Sequence, residues 1–193
     1  MSDIIIPVLQ DKIPERFIYC LNSIFTNTKD FNLICVVSGK SQPKNINTGL
    51  DRAKSDYIAI LDWDIIVSPR WLKILIQNLE ENKTIGIIGA KMTGTYQGWN
   101  RDAPMGVTKW PVLAGGCMVF RNIGLRFDET YPSGYWADTD FCRHFRDKGY
   151  EIAINGDVEV EHFVETFTNN TKQTDKWSEI GKEIYRNKWG EGL

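Results

Sequence analysis

A short β-branched run that ends in two acidic residues does most to narrow the choice of fold. Residues 57–61 are apolar and continue directly into Asp62, Trp63 and Asp64. Such a run is typical of a buried strand. In an open α/β sheet, ligands bind just beyond the carboxyl ends of the strands. Because carboxylates are costly to bury without a positive charge, the pair indicates either a divalent cation such as Mg²⁺ or Mn²⁺, or simple capping of the next loop.

Strand-like and helical patterns alternate along the first half of the chain. The alternation is typical of the parallel sheet of an α/β fold. After the acidic pair, Ser68 and Pro69 resemble the N-cap and first position of a further helix, with apolar residues on one face from 71 to 79. Before the acidic pair, strands are predicted at residues 3–8, 33–37 and 57–61, and helices at residues 14–25 and 47–53.

The second half continues the alternation less regularly. We predict a helix capped by Asp138 or Thr139 and ending at Gly149, and a terminal helix in the tail that starts at residue 166. Residues 92–109 have no clear periodicity and are predicted to form a loop or irregular hairpin near the site. Further strands are predicted at residues 85–89, 112–120, 151–154 and 158–160.

Composition excludes several classes of protein. The 193 residues suit one domain, and the formal net charge of −2 gives no general attraction to nucleic acid. The four cysteines do not form a C-x-x-C pair, which argues against a zinc site. No apolar run is long enough to span a bilayer, and Met1 is not followed by a basic leader. We therefore expect a cytoplasmic protein without a transmembrane segment, either free or peripheral at a membrane surface.

Several motifs follow one another in the order of a known family. They are Ile4-Ile5-Ile6-Pro7, Asn47-Thr48-Gly49, Tyr57 through Asp64, Gly115-Gly116-Cys117-Met118, Trp136 through Arg143, Gly149-Tyr150 and His162. By the order and spacing of these motifs, the chain resembles the GT-A glycosyltransferases of the family 2 type. The resemblance covers residues 3–165. It implies an α/β, Rossmann-like GT-A fold of three layers with a mixed, mainly parallel central sheet. We expect a single catalytic domain over residues 1–193, with a helical tail over residues 166–193.

The resemblance also implies a metal site and a catalytic base. Asp64 would ligate Mn²⁺ or Mg²⁺, and Asp62 would contact the nucleotide ribose or the water shell of the metal. His162 would join the metal or diphosphate site. Asp138 would act as general base towards an acceptor hydroxyl, in a single displacement that inverts the anomeric centre. The remaining positions implied at the nucleotide sugar are Pro7, Asn47, Asp62, Trp63, Gly116 and Trp136.

Some of these positions have alternative interpretations. Asp138 is also a plausible N-cap, and Asp140, two residues later, is an alternative base. Trp136 would serve equally well as a packed aromatic residue. His162 would serve equally well as a structural histidine. Two further basic residues, Lys44 and Arg101, are candidates either for phosphate contacts or for solvated surface.

Two positions depart from the family pattern. Ser38 stands where relatives carry the acidic residue that reads the nucleobase, and Ala137 replaces the Glu of the family's Glu-Asp pair. The function implied is transfer of a sugar from a UDP-, GDP- or dTDP-sugar to a hydroxyl on a glycan, protein or lipid. One alternative is a catalytically silent binding or scaffold protein with the same fold. Another is a sugar nucleotidyltransferase, disfavoured because residues 8–12 lack the glycines of a triphosphate-binding loop.

Overall fold

The protein is described by a computed structural model that covers residues 1–8, 13, 15–95, 98–163 and 171–191. Strands and helices alternate along it, as the patterns predict. The strands are β1 Ser2–Val8, β2 Phe31–Val37, β3 Tyr57–Leu61, β4 Ile65–Val67, β5 Ile85–Gly94, β6 Val107–Lys109, β7 Cys117–Arg121 and β8 Glu151–His162. The helices are α1 Phe17–Asn27, α2 Gln42–Leu50, α3 Trp71–Glu81, α4 Ala137–Asp147 and α5 Thr171–Trp189, with a short 3₁₀ turn at Trp99–Asp102.

The described strands form one mixed sheet in the order β2-β1-β3-β7-β5-β8-β4, and β6 also pairs with β8. Strands β2, β1 and β3 are mutually parallel, and β5 is parallel to β8. Strand β7 lies antiparallel between β3 and β5, so these two strands share one direction. Five of the eight strands therefore run the same way, which confirms the predicted mixed, mainly parallel sheet.

Each face of the sheet carries its own hydrophobic core, because side chains alternate between the two faces along a strand. Ile4 and Ile6 of β1 belong to the core under α1 and α3, whereas Ile5 belongs to the core under α2 and α4. In β3, Leu61 and Ile60 divide in the same way. The result is the predicted three-layer arrangement of helices, sheet and helices.

The predicted side-chain caps of two helices are wrong. Helix α3 begins at Trp71 after Arg70, whose φ is 63°, and Ser68 does not cap it with its side chain. The backbone N–H of Arg70 donates instead to the carbonyl of Asn27, at the end of α1. Helix α4 follows Trp136, whose φ is 68°, without a side-chain cap from Asp138 or Thr139. In both cases a left-handed residue held by long-range packing sets the start of the helix.

Other boundaries also differ from the predictions. Helix α2 begins five residues before the predicted range, with Pro43 in its first turn. Residues 112–116 precede β7 rather than belonging to it, and the two strands predicted after Gly149 are one strand with an irregular register. Residues 92–109 contain the end of β5, the 3₁₀ turn and β6. The predictions that involve Pro14, residues 9–12 and the start of the tail at 166 lie outside the described residues.

Candidate functional site

Pairing between β4 and β8 brings an aspartate and a histidine together. Ile65, the residue after Asp64, pairs with His162 at the end of β8, and the N–H of Phe163 donates to the carbonyl of Asp64 at 3.1 Å. This register sets the Nε2 atom of His162 3.2 Å from Oδ1 of Asp64. Two residues almost one hundred positions apart thus meet at the sheet edge because short strand β4 directly follows the acidic pair.

Pairing between β3 and β7 sets the position of Asp62. Leu61 pairs with Cys117, and the N–H of Asp62 donates to the carbonyl of Gly116 at 2.9 Å. A Cβ on Gly116 would lie 3.0 Å from the sulfur of Met92 and 3.3 Å from Cε1 of His162. A side chain on residue 116, directly before β7, would therefore crowd the imidazole and the Met92 sulfur.

These strand ends collect ionisable side chains at one point. One Asp62 oxygen, one Asp64 oxygen and one His162 nitrogen lie within 4.8 Å of one another. Burial raises the pKa of Asp62 to about 6, and the charges of Asp64 and Asp138 add to this effect while His162 opposes it. Burial disfavours the charged form of His162, but the hydrogen bond to Asp64 and the charge of Asp62 outweigh burial and raise its pKa.

This donor set fits a divalent cation. Carboxylate oxygens are the usual ligands of Mg²⁺ and Mn²⁺, and an imidazole nitrogen is more typical of transition metals. The raised pKa of Asp62 reflects mutual repulsion among carboxylates in addition to burial, and a bound cation relieves that repulsion. The site can therefore hold a divalent cation through Asp62, Asp64 and His162.

Asp138 approaches the same point from the N-terminus of α4. Its Oδ2 atom accepts the N–H of Gly115 at 2.9 Å, and its Oδ1 atom accepts the N–H of Thr139 at 2.7 Å. These bonds favour the charged carboxylate, yet burial is the larger effect and raises the pKa of Asp138 to about 6. A fixed carboxylate with a pKa near neutrality has the properties of a general base.

Asp140, the alternative base, is occupied elsewhere. Its side chain is fully buried and accepts hydrogen bonds from Nε1 of Trp189 at 2.6 Å and from Nζ of Lys188 at 3.0 Å. His144 lies 3.3 Å from the same carboxylate. Asp140 therefore joins α4 to the C-terminal helix α5. This arrangement favours Asp138 over Asp140 as the base.

One cavity of about 480 Å³ joins these groups. Asp62, Asp64, His162 and Asp138 all line it. Helix α5 contributes two lining residues, Thr174 and Trp177. The other lining residues are Pro7, Gly39, Lys40, Ser41, Gln42, Pro43, Ile46, Trp63, Ala114, Gly115, Gly116, Met118, Phe127, Pro132, Ser133, Gly134, Tyr135 and Ala137.

The cavity contains most of the residues predicted for the nucleotide sugar, but two lie elsewhere among the described residues. Asn47 exchanges hydrogen bonds of 2.9 Å with the backbone of Phe127 and so holds the loop before α4. Trp136 packs against Tyr185 of α5, with ring centroids 5.4 Å apart. Neither Lys44 nor Arg101 is among the described residues that line the cavity.

Sequence reasoning missed several residues of the cavity wall. Gln42 lines the cavity, and its side-chain amide donates to Oδ1 of Asp62 at 2.9 Å. Lys40 is the one lysine or arginine among the described lining residues. Tyr135 and Trp177 supply aromatic surface. The turn-rich sequence around Lys40 gave a weak signal for a binding loop, whereas no local pattern links Trp177 to the site.

Comparison with known proteins assigns the family. The family described as glycosyl transferase family 2 matches residues 39–146, which is more than half of the chain. The chain belongs to glycosyl transferase family 2. The match includes Asp62, Asp64 and Asp138 but ends before His162 and α5. No curated protein matches this family 2 chain in sequence.

Solved structures support the same fold. The crystal structure of GalNAc-T7 with UDP, GalNAc and Mn²⁺ superposes with a TM-score of 0.67 at 13% identity, over 83% of this chain and 43% of that one. The crystal structure of S. aureus TarS superposes with a TM-score of 0.62 at 14% identity, over 84% of this chain and 36% of that one. The crystal structure of TarS 1–349 superposes with a TM-score of 0.63 at 13% identity, over 83% of this chain and 60% of that one. The family 2 chain thus spans less than two thirds of these proteins.

These findings confirm the predicted GT-A family and fold, and they confirm the expectation of a glycosyltransferase at the level of the family. No helix within the described ranges combines the length and apolarity that crossing a membrane requires.

Proposed function

We propose that this family 2 chain transfers a sugar from a nucleoside diphosphate sugar to a hydroxyl acceptor, with inversion at the anomeric carbon. The observation that carries the proposal is the convergence of Asp62, Asp64 and His162 with Asp138 in a single cavity. A cation site and a base of raised pKa are the two parts that this reaction requires.

Asp62, Asp64 and His162 would hold the metal ion, for which we favour Mn²⁺. Once bound, such an ion neutralises negative charge on the departing diphosphate. The Mn²⁺ and UDP in the GalNAc-T7 structure support a metal-dependent donor of this class. Lys40 supplies further positive charge at the cavity rim, where it would meet the nucleotide.

Asp138 would accept the proton of the acceptor hydroxyl as its oxygen attacks the anomeric carbon. A bond forms between that oxygen and the carbon while the bond from the carbon to the diphosphate oxygen breaks. The bonding electron pair leaves with the diphosphate, and the proton stays on Oδ1 or Oδ2 of Asp138. Since attack and departure take place on opposite faces of the sugar, the configuration inverts.

The acceptor would enter between Tyr135 and Trp177. Both aromatic side chains line the cavity on the side of Asp138 and α5. Aromatic faces stack on the apolar faces of sugar rings, so this wall suits a glycan acceptor better than a charged peptide.

The first test is release of nucleoside diphosphate from UDP-, GDP- and dTDP-hexoses in the presence of Mn²⁺. We expect release from one donor class, and a rate about 10²–10⁴-fold lower for Asp138→Asn, because general base catalysis contributes that much. Asp147→Asn is the matched control, since Asp147 lies on the same helix and is exposed.

The scaffold alternative is favoured by two departures from the family pattern, Ala137 at the position of the family's glutamate and Ser38 at the position of its base-reading acidic residue. Nucleotide binding without release from any donor would support the scaffold and contradict the proposed transfer.

A further inference from the structure

Gln42 links two segments that line the cavity. It is the first residue of α2 and lines the cavity together with Lys40. Its Nε2 atom donates to Oδ1 of Asp62 at 2.9 Å, and its Oε1 atom lies against the backbone of Gly134, which also lines the cavity. The side chain therefore contacts both the acidic cluster and the segment that precedes α4.

The Gln42 amide occupies the space that a side chain at position 134 would fill. A Cβ on Gly134 would lie 1.8 Å from Oε1 and 2.9 Å from Cδ of Gln42, whereas real Cβ contacts are essentially never shorter than 3.0 Å. All three nearest atoms belong to Gln42. Gly134 does not have a positive φ, so alanine is compatible with its backbone. The glycine thus provides the space in which the Gln42 amide is held.

The hydrogen bond determines how Asp62 presents its carboxylate. Oδ1 is occupied by the amide of Gln42, while Oδ2 faces His162 at 3.9 Å. Because the Gln42 amide donates to Oδ1, the Asp62 carboxylate cannot turn Oδ1 towards the histidine without losing that donor. The neutral amide does this without adding a charge to the cluster.

We propose that Gln42, held by Gly134, is a positioning residue that orients Asp62 for the metal ion. This inference rests on the proposed function, because it needs the metal site at Asp62, Asp64 and His162. Residues that hydrogen-bond to metal ligands typically raise metal affinity about 10–100-fold. Residues 42 and 134 lie on separate segments, at the start of α2 and before α4, so the pair also couples the metal site to the position of the segment before α4.

The test is a titration of Mn²⁺ into the full chain, followed by the paramagnetic resonance signal of free Mn²⁺, in parallel with UDP, GDP or dTDP present. We expect Gln42→Ala to weaken Mn²⁺ binding about 10–100-fold. Gly134→Ala should weaken it similarly, because the new methyl group displaces Gln42 from Asp62. Gln77→Ala, a surface glutamine on α3, is the matched control and should bind Mn²⁺ as the wild type does.

The double variant separates positioning from general damage. If both changes act through the same hydrogen bond, Gln42→Ala with Gly134→Ala should bind Mn²⁺ no more weakly than Gln42→Ala alone. Additive losses, or unchanged Mn²⁺ affinity in Gln42→Ala, would overturn the inference and leave the proposed function intact. Absence of Mn²⁺ binding by the wild type with every nucleotide would overturn both. Thermal melting of each variant shows whether a loss reflects unfolding.

Discussion

At the scale of single residues, the site depends on carboxylates whose surroundings give them different roles. Asp138 and Asp140 are two residues apart on the same helix, yet Asp138 lines the cavity and Asp140 is fully buried beneath α5. Asp138 keeps backbone donors and a raised pKa, whereas Asp140 is bound by side chains of α5. One helical turn thus carries both the proposed base and a structural anchor.

The raised pKa of Asp138 predicts a pH dependence. A protonated carboxyl group cannot accept the hydroxyl proton, and burial makes protonation begin near pH 6 instead of near the ordinary value of 3.8. We expect kcat, at saturating donor and Mn²⁺, to fall about tenfold for each pH unit below about 6. Saturation matters because Asp62 titrates in the same range and affects metal binding. A kcat that stays constant down to pH 5 would contradict the role of Asp138.

The sequence alone identified Asp62, Asp64, Asp138 and His162, and all four line one cavity. It identified them because an acidic pair after an apolar strand is a local pattern and the family motifs extend it. It left Trp136 open between a sugar contact and a packed aromatic residue, and the tryptophan packs on α5. Residue type indicates that an aromatic side chain suits a sugar, but only tertiary packing decides which neighbour it contacts.

At the scale of secondary structure elements, α5 is attached to α4 by a buried polar cluster. Lys188 bridges Asp140 and Asp128 at 3.0 and 2.8 Å, and Trp189 bonds Asp140 from the next position. The same helix reaches the cavity with Thr174 and Trp177. A helix outside the matched family segment therefore forms part of the cavity wall, and its last turn holds it there.

This attachment predicts the effect of removing one partner. Lys188→Ala leaves the Asp140 carboxylate buried with one charged donor fewer, which is strongly destabilising for a fully buried pair. Because Lys188 is itself partly exposed, we expect a smaller effect than for a fully buried pair. The free energy of unfolding should fall by about 2 kcal/mol, and the melting temperature by roughly 4–8 °C for a chain of this size.

Lys182→Ala provides the control, since Lys182 is exposed on the same helix. An unchanged melting temperature in Lys188→Ala would mean that the cluster does not anchor α5.

The helix starts show why element boundaries were harder to predict than the elements themselves. Apolar periodicity located α3 and α4, but both begin after a left-handed residue, Arg70 or Trp136. For a residue other than glycine, this conformation is unfavourable and depends on contacts made elsewhere in the fold. Here the carbonyl of Asn27 and the ring of Tyr185 supply those contacts. A search for capping side chains cannot detect them.

At the scale of the whole molecule, the sheet brings distant segments to one edge. Strands β3 and β8 run in the same direction, while β7 and β4 return beside them, so Asp62 and His162 meet although they are far apart in sequence. Alternating patterns predicted this α/β architecture, and the comparisons confirm it. The single-domain organisation stays a prediction. The irregular segment 92–109 was expected near the site. Its first residues pair with the end of β8, where Gly94 lies opposite His162, although the described cavity lining does not include the segment.

The most direct test of the account is calorimetric titration of UDP, GDP and dTDP into the wild type and Asp64→Ala, with and without Mn²⁺. The account predicts that one nucleotide binds the wild type only with Mn²⁺, because its diphosphate reaches the carboxylates through the ion. Binding should be lost in Asp64→Ala, which removes one ligand of the metal. Nucleotide binding that depends on neither Mn²⁺ nor Asp64, or no binding at all, would contradict the metal site on which the proposed transfer rests.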